Sequence, residues 1–358
     1  MNYNKIVQGI LDIGEAMLQS GAENFRLEDS FYRMCRSYGF KRSDVFVIPS
    51  NIQVTVETPE GEIITQIRHI ESSEPNFDQL DYLNNLCRYV CQHTPDENEM
   101  REKYLEVINR EPQKRITRYA AGIMGGTGFA IFFGCNLRDA VIAFIVSVMI
   151  VAVGDWLSKR ESKLLVYNGI LAFISEVIII GALKMGIAEH PDRIMIGIVM
   201  LLISGLSTTN GIRDLLQRDF ISGFINIMNS FLGAAGIAFG IGLAIILFHE
   251  GYSDHFILNH SVPIQLLSCT VACTGFALWF KIRGKQVWYN SIGAFFTWAI
   301  YVAVYAVKPS NFMATMIAAG FVGFYAFIMS RVNKAPSTIF LTASVFPLIP
   351  GPNLYYVM

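Results

Sequence analysis

Residues 166–177 read VYNGILAFISEV, and residues 288–299 read WYNSIGAFFTWA. Tyr167 and Tyr289, Asn168 and Asn290, Ile170 and Ile292, Ala172 and Ala294, and Phe173 and Phe295 coincide, and Ser175 stands opposite Thr297. Each stretch follows a basic loop and a helix end that carries a tryptophan, Trp156 in one case and Trp279 in the other. A second pair is LLISGLSTTNG from Leu201 and PLIPGPNLYY from Pro347. Spaced repeats of this kind mark two related halves, here near 116–248 and 262–358.

Composition says what the halves are made of. The chain has 358 residues, 53% hydrophobic and 16% charged, and its mean hydropathy of +0.40 lies outside the range of soluble domains. This composition predicts an integral membrane protein. Most of the Asp, Glu, Lys and Arg lie within 1–118, so the chain reads as a cytosolic α+β domain over 1–96, a charged helical connector over 97–115, and two membrane repeats. Runs long enough to cross a bilayer fall near 116–135, 139–157, 166–187, 194–209, 221–248, 262–280, 288–307, 311–330 and 336–356. The expected fold class is mainly α, with about nine spans in a 5+4(5) inverted repeat.

Lys and Arg in the short loops set the orientation. With 110–118 inside, the inner loops hold Lys159, Arg160, Lys163, Arg213, Arg218, Lys281, Arg283, Lys285, Arg331 and Lys334. The outer loops hold Arg138, Lys184, Arg193 and Lys308. This predicts a multi-pass protein of the cytoplasmic (inner) membrane with a cytosolic N-terminus. Five spans in the first half is an odd number, so the second half enters from the opposite side. Inverted repeats in membranes commonly place a central site under alternating access.

In the N-terminal domain, Ile6, Ile10, Ile13 and Met17 keep helical spacing with Asp12 and Glu15 between them, without the features of a signal peptide. Ser20 and Gly21 break that helix, and a second runs from about Asn24 to Tyr38 before Gly39. DVFVIPS, NIQVTVET and IITQIRHI read as strands, with PEGE as a turn. Helical period resumes from Phe77 to Val90. Glu23, Arg26, Glu28 and Asp29 crowd together after the helix break and read either as a polar site or as a capping and ion-pair cluster at the helix junction. There is no Ser/His/Asp or Cys/His arrangement and no glycine-rich phosphate loop, so nothing points to an enzyme, a cofactor or nucleic acid. The six cysteines fit buried small residues. His249, Glu250, Asp254, His255 and His260 match no metal-ligand spacing and read as a solvated outer loop.

Pro347, Pro350, Gly351 and Pro352 interrupt the last apolar run, as Ser204 to Gly211 interrupts the fourth. Broken backbone at membrane depth needs protein or a water-filled cavity to satisfy its N–H and C=O groups, and such groups are ligands for a small polar solute. The candidate substrate and proton pathway is Glu176, Gly205, Ser207, Thr208, Thr209, Asn210, Asn226, Asn229, Asn168, Asn290, Pro350, Gly351 and Asn353. Glu176 is a mid-span carboxylate, costly enough there to imply proton carriage or pairing with a substrate ammonium. Asn168 and Asn290 serve equally as interhelical hydrogen bonds, and Asn226 and Asn229 share a face. Arg213, Asp214 and Asp219 read as a cytosolic gate or surface network. The glycines of AAGIMGGTGFA and LGAAGIAFGIG read as close helix packing. Since the second half has no counterpart of 212–248, the expectation is a tenth span lost by truncation or supplied by a partner.

SGAENFRLEDSFYRMCRSYG at 20–39, TNGIRDLL at 209–216 with ISGF after it, and PLIPGPNLYY at 347–356 resemble the threonine/serine exporter family. The resemblance covers nearly the whole chain. It implies a cytosolic domain and five spans joined to, or paired as a subunit with, a second five-span unit. It also implies proton-driven export of threonine and serine; a two-subunit form is linked to succinate. Ser204 departs from the proline usual there. The partners expected are threonine, serine or a dicarboxylate, protons, the lipid bilayer, and a second copy or a partner membrane subunit. Dicarboxylate (succinate) export is the alternative within the class. A membrane sensor with a ligand-binding cytosolic domain is the alternative outside it.

Overall fold

The computed structural model describes residues 2–71, 73–161, 163–203, 205–248, 261–349, 351–352 and 355. It divides into two compact units, Met1–Pro112 with Ser207–Ile227, and Gln113–Leu206 with Met228–Met358.

The first unit opens with α1 (Tyr3–Gln19), capped by Asn2, whose side chain accepts from Lys5 N–H. The predicted stripe is its core face, with Ile6, Ile10, Ile13 and Met17 at 0–1% exposure. Gly21, at φ +89°, turns the chain into α2 (Asn24–Ser37), and Gly39 at φ +78° ends it. Strands β1 (Arg42–Ile48), β2 (Asn51–Glu57) and β3 (Ile63–His69) form an antiparallel sheet in that order, with Val45 opposite Val54 and Val54 opposite Gln66. α3 (Phe77–His93) and α4 (Glu97–Ile108) follow. Met100 seats α4 against α1: a methyl on Gly9 would stand 2.5 Å from its sulfur.

The second unit is helical. It holds α5 (Arg115–Phe132), α6 (Leu137–Leu157), α7 (Leu164–Lys184) and α8 (Pro191–Leu202). α9 (Gly205–Leu216) and α10 (Phe220–Phe248) run through the unit boundary, and α11 (Val262–Trp279), α12 (Lys285–Val307), α13 (Asn311–Asn333) and α14 (Ser337–Val345) complete it. Six of these, α6, α7, α10, α11, α12 and α13, are long and apolar enough to cross a membrane. The other three predicted spans do not meet that measure as single helices among the described residues, although α8 and α9 meet it as a pair. The run at 194–209 is two helices, α8 and α9, bent by 57°. The run at 336–356 is α14 followed by a 3-10 turn, Phe346–Leu348. α5 is 18 residues long, but Arg115, Arg118 and its glycines dilute its apolar content.

Small residues bring α5 and α11 together. A methyl on Gly128 would lie 2.9 Å from Ala272 Cα, and one on Gly275 would lie 2.5 Å from Gly125 N. The glycine runs are therefore packing surfaces, as their sequence predicts. The core of this unit collects Phe129, Phe132, Phe276, Phe346 and Trp298 with most of α8. On the outward faces, Phe231, Phe239 and Ile246 are 64–71% exposed, as lipid-facing side chains would be.

Candidate functional site: two helix breaks in the membrane unit

α8 stops at Ile203, whose backbone is extended at φ −71°, ψ 129°, and Gly205 N–H donates back to Ile203 C=O at 3.1 Å. The 3-10 turn at the end of α14 stops in the same way. Ile349 is extended at φ −70°, ψ 126°, and Gly351 N–H donates to Ile349 C=O at 2.8 Å. Each break is thus an isoleucine, one intervening residue and a glycine, closed by a bond across three residues. The breaks are neighbours: a methyl on Gly205 would stand 3.6 Å from Ile349 Cδ1, and one on Gly351 would stand 3.1 Å from Met200 Sδ, in the last turn of α8.

Interrupting α8 leaves its last carbonyls without helical donors. One is answered by Asn168 of α7, 2% exposed, whose Nδ2 donates to Leu202 C=O at 3.4 Å and to Gly233 C=O of α10 at 3.2 Å. Asn168 therefore ties three helices together at the first break. Asn290 does not repeat this role. Fully buried on α12, it turns Nδ2 back to Gln286 C=O of its own helix at 2.9 Å, and its Oδ1 has no hydrogen-bond partner. Glu176, also fully buried, lies two turns beyond Asn168 on α7, beside Ser175, whose hydroxyl donates to Leu171 C=O at 2.7 Å. At the matching place on α12, Trp298 donates Nε1–H to Gln265 Oε1 at 3.2 Å.

The other candidates fall in several places. Ser207, Thr208, Thr209 and Asn210 occupy the first turns of α9, with Thr209 exposed and the rest half-buried. The interruption expected over 204–211 is therefore narrower, since helix resumes at Gly205 and nothing beyond it removes a backbone donor. Pro350 and Asn353, like Ser204 and the histidines at 249–260, lie outside the described residues. Asn229 is exposed on α10, whereas Asn226, one turn earlier, gives Nδ2–H to Asp214 Oδ2 at 3.0 Å.

Asp214 belongs to a second polar cluster, inside the first unit. Its Oδ2 also accepts from Asn24 Nδ2 at 3.3 Å, and Arg213 is paired with Glu23. Ser222, fully buried, donates to Val47 C=O at 3.4 Å and takes Asp219 Oδ1 on its N–H at 3.3 Å. Glu23, read as part of a local junction cluster, thus reaches a residue 190 positions away, while Asp29 pairs locally with Arg33 at 2.8 Å. Burial, reinforced by Asp219 and Asp214, raises the Glu28 carboxyl above its ordinary value, and the Val47 backbone opposes this. Burial lowers the Arg26 guanidinium, with Glu23 opposing and Arg88 adding to it. Nothing in the sequence spacing joins Asn24 and Ser222 to this cluster; only their place in the SGAENF and ISGF motifs drew attention to those segments.

Residues 8–248 match the family model for the threonine/serine exporter, and residues 265–358 match a second model described as threonine/serine exporter, ThrE. The chain belongs to the threonine/serine exporter family. It is 23% identical over 360 residues to the threonine/serine exporter of Corynebacterium glutamicum, covering 96% of this chain and 73% of that protein. A probable threonine/serine exporter of Mycobacterium tuberculosis is 21% identical over 370 residues, covering 98% of this chain and 69% of its own length. No solved structure matches. Family membership and the six apolar helices together make this a multi-pass membrane protein of a transporter family.

Proposed function

We propose that this chain exports threonine and serine across the cytoplasmic membrane in exchange for protons, by alternating access around the two helix breaks. One observation carries the reading: two isoleucine-x-glycine breaks of matching dihedral angles adjoin inside the membrane unit. A break supplies backbone groups that a zwitterion's carboxylate and ammonium can use, and the first turn of a resuming helix favours a carboxylate. Glu176 is the carboxylate placed to carry the proton. No lysine or arginine is among the buried residues described, so none of those residues offers a fixed cation to the second carboxylate of a dicarboxylate. On this reading the two halves are an inverted repeat of about nine spans, the N-terminus is cytosolic, and Arg213, Asp214 and Asp219 form a cytosolic gate or surface network.

The test is efflux of labelled threonine, serine and succinate from preloaded cells, with and without a protonophore, for the wild type and Glu176→Gln. Expected are protonophore-sensitive loss of threonine or serine and a Glu176→Gln protein that is folded but lacks gradient-driven efflux. Succinate efflux alone, or threonine efflux indifferent to both the protonophore and Glu176→Gln, would overturn the proposal.

A further inference from the structure

The first unit holds a cavity of its own. It lies between α1 and α4 and has a volume of about 330 Å³, toward the lower end of the range of small-molecule sites, about 300–1,000 Å³. Helical period builds it. On α1, Lys5, Gln8, Gly9 and Asp12 stand at i, i+3, i+4 and i+7, on a face beside the core stripe. On α4, Glu97, Met100, Arg101 and Tyr104 keep the same spacing. The two faces run side by side in one direction. Lys5 Nζ pairs with Glu97 Oε1 at 3.3 Å at one end, Met100 packs on Gly9 in the middle, and Asp12 acts on Tyr104 at the other end. Lys5 to Asp12 is two turns of helix, about 10 Å.

The lining carries polar groups that the protein leaves unused. Among the described residues, the Arg101 guanidinium, the Tyr104 hydroxyl and the Gln8 side-chain amide take no hydrogen bond or ion pair from protein. Arg101 and Tyr104 are three apart on α4 and so are neighbours on one face. Burial first, then Asp12 and Glu15, push the Tyr104 hydroxyl up to about 12, with Arg68 opposing. That phenol is therefore an O–H donor across the physiological range. A free guanidinium beside a phenol O–H is a seat for one carboxylate. On α1, Asp12 shares Arg68 with Glu15: Arg68 Nη2 is 3.1 Å from Asp12 Oδ1, and Nε is 3.6 Å from Glu15 Oε2. One guanidinium between two carboxylates leaves a negative charge, which is complementary to an ammonium. The other lining cation described, Lys5, is held by Glu97, so a second anionic group on the occupant would meet no free cation. At about 30 Å³ for each water-sized group, the cavity takes about ten non-hydrogen atoms, enough for a small amino acid and too few for a nucleotide.

We infer that this cavity binds a free α-amino acid, with its carboxylate on Arg101 and Tyr104, its ammonium on Asp12, and its side chain toward Gln8 and Leu105. The site is formed within the first unit, shares no residue with the two helix breaks, and does not depend on the exporter reading.

Hydrogen–deuterium exchange of the full-length protein in nanodiscs reads the site where it lies, in peptides from 3–19 and 97–108. The probes are L-serine and L-threonine, with N-acetyl-L-serine lacking the ammonium and ethanolamine lacking the carboxylate, each up to about 10 mM, a decade weaker than a millimolar complex. Expected is slower exchange in 97–108 with either amino acid, because an occupant opposes local opening of α4. The two truncated probes should need about tenfold more for the same protection, the scale of one hydrogen bond to a charged group. Arg101 is exposed and unpaired, so Arg101→Gln should keep its melting temperature while raising the half-protecting concentration by about tenfold. Tyr104→Phe, which removes only a hydroxyl, should shift it in the same direction. Protection of 97–108 by neither amino acid, equal protection by the truncated probes, or protection unchanged in both variants would overturn the inference. Efflux of labelled serine and threonine decides the exporter reading separately: efflux without protection would remove this site and leave that reading, and protection without efflux would do the reverse.

Discussion

Replacing Asn168 by alanine removes a side-chain bridge to the first helix break, and the effect can be set against its sequence counterpart, Asn290. Asn168→Ala leaves two buried carbonyls, Leu202 and Gly233, without the amide that reaches them at 3.4 and 3.2 Å. An unsatisfied buried polar group costs about 1–3 kcal/mol. Side-chain hydrogen bonds between membrane helices average about 0.6 kcal/mol and reach about 1.7. Both contacts are long, so the lower scale applies, and the pair sums to about 1–2 kcal/mol. At about 2–4 °C per kcal/mol for a unit of this size, the melting temperature should fall by about 2–8 °C.

Asn290→Ala should behave differently. It removes a bond to its own helix, at Gln286, and also removes an acceptor, Oδ1, that is buried without a hydrogen-bond partner. Those two changes oppose each other, so the net shift should stay within about 0.5 kcal/mol of zero. The assay is thermal unfolding of the purified variants in one detergent at one protein concentration, followed by tryptophan fluorescence. Equal losses for the two variants, or a larger loss for Asn290→Ala, would refute the claim that the first break alone is braced by its asparagine.

Two further outcomes follow from the packing and the charges. Gly197→Ala places a methyl 2.5 Å from Ala130 N and 2.6 Å from Ala130 Cα, against backbone that cannot rotate away, and should cost about 1–3 kcal/mol; Gly181→Ala, with nothing within 4 Å, should be neutral or slightly stabilising in the same melt. Glu28 has its carboxyl raised by burial, so relative to an uncharged residue its contribution is present at acid pH and is lost as pH rises through the folded-state value. Glu28→Gln should therefore raise the melting temperature near neutral pH and change little near pH 4; the reverse order in a pH series of melts would contradict the assignment.

How much of this was legible in the sequence depends on the range of the forces involved. The α1 stripe of Ile6, Ile10, Ile13 and Met17, the turns at Gly21 and Gly39, and the three strands all follow from local period and backbone preference, and all are present. The breaks were legible for the same reason, since glycine and proline act on their own residues. Their extent was not. Helix resumes at Gly205 because Ser207, Thr208 and Thr209 keep their backbone donors and only lower helix propensity. What the sequence does not show is the 57° bend between α8 and α9, because a hydropathy window runs straight through it and does not register it. The contacts of Glu23 with Arg213 and of Asp139 with His190 join residues 190 and 51 positions apart, and no period in a single sequence encodes such pairs.

The two breaks also show why similar sequence need not mean similar duty. Both use an extended isoleucine and a glycine, because that geometry depends only on local steric terms and on one short bond back across the turn. What surrounds them is set by neighbours. At the first break α7 and α10 both lie within reach of Asn168, so a carbonyl that bending leaves without its helical donor is answered by protein. At the matching position of the second half the amide has turned to its own helix, and Ser344 donates to the Asn290 backbone carbonyl at 3.4 Å. One break is thus held by a tertiary hydrogen bond and the other by contact with apolar side chains such as Met200 and Phe133. Local sequence therefore sets the turn at each break, while the neighbouring helices set what that turn is bonded to.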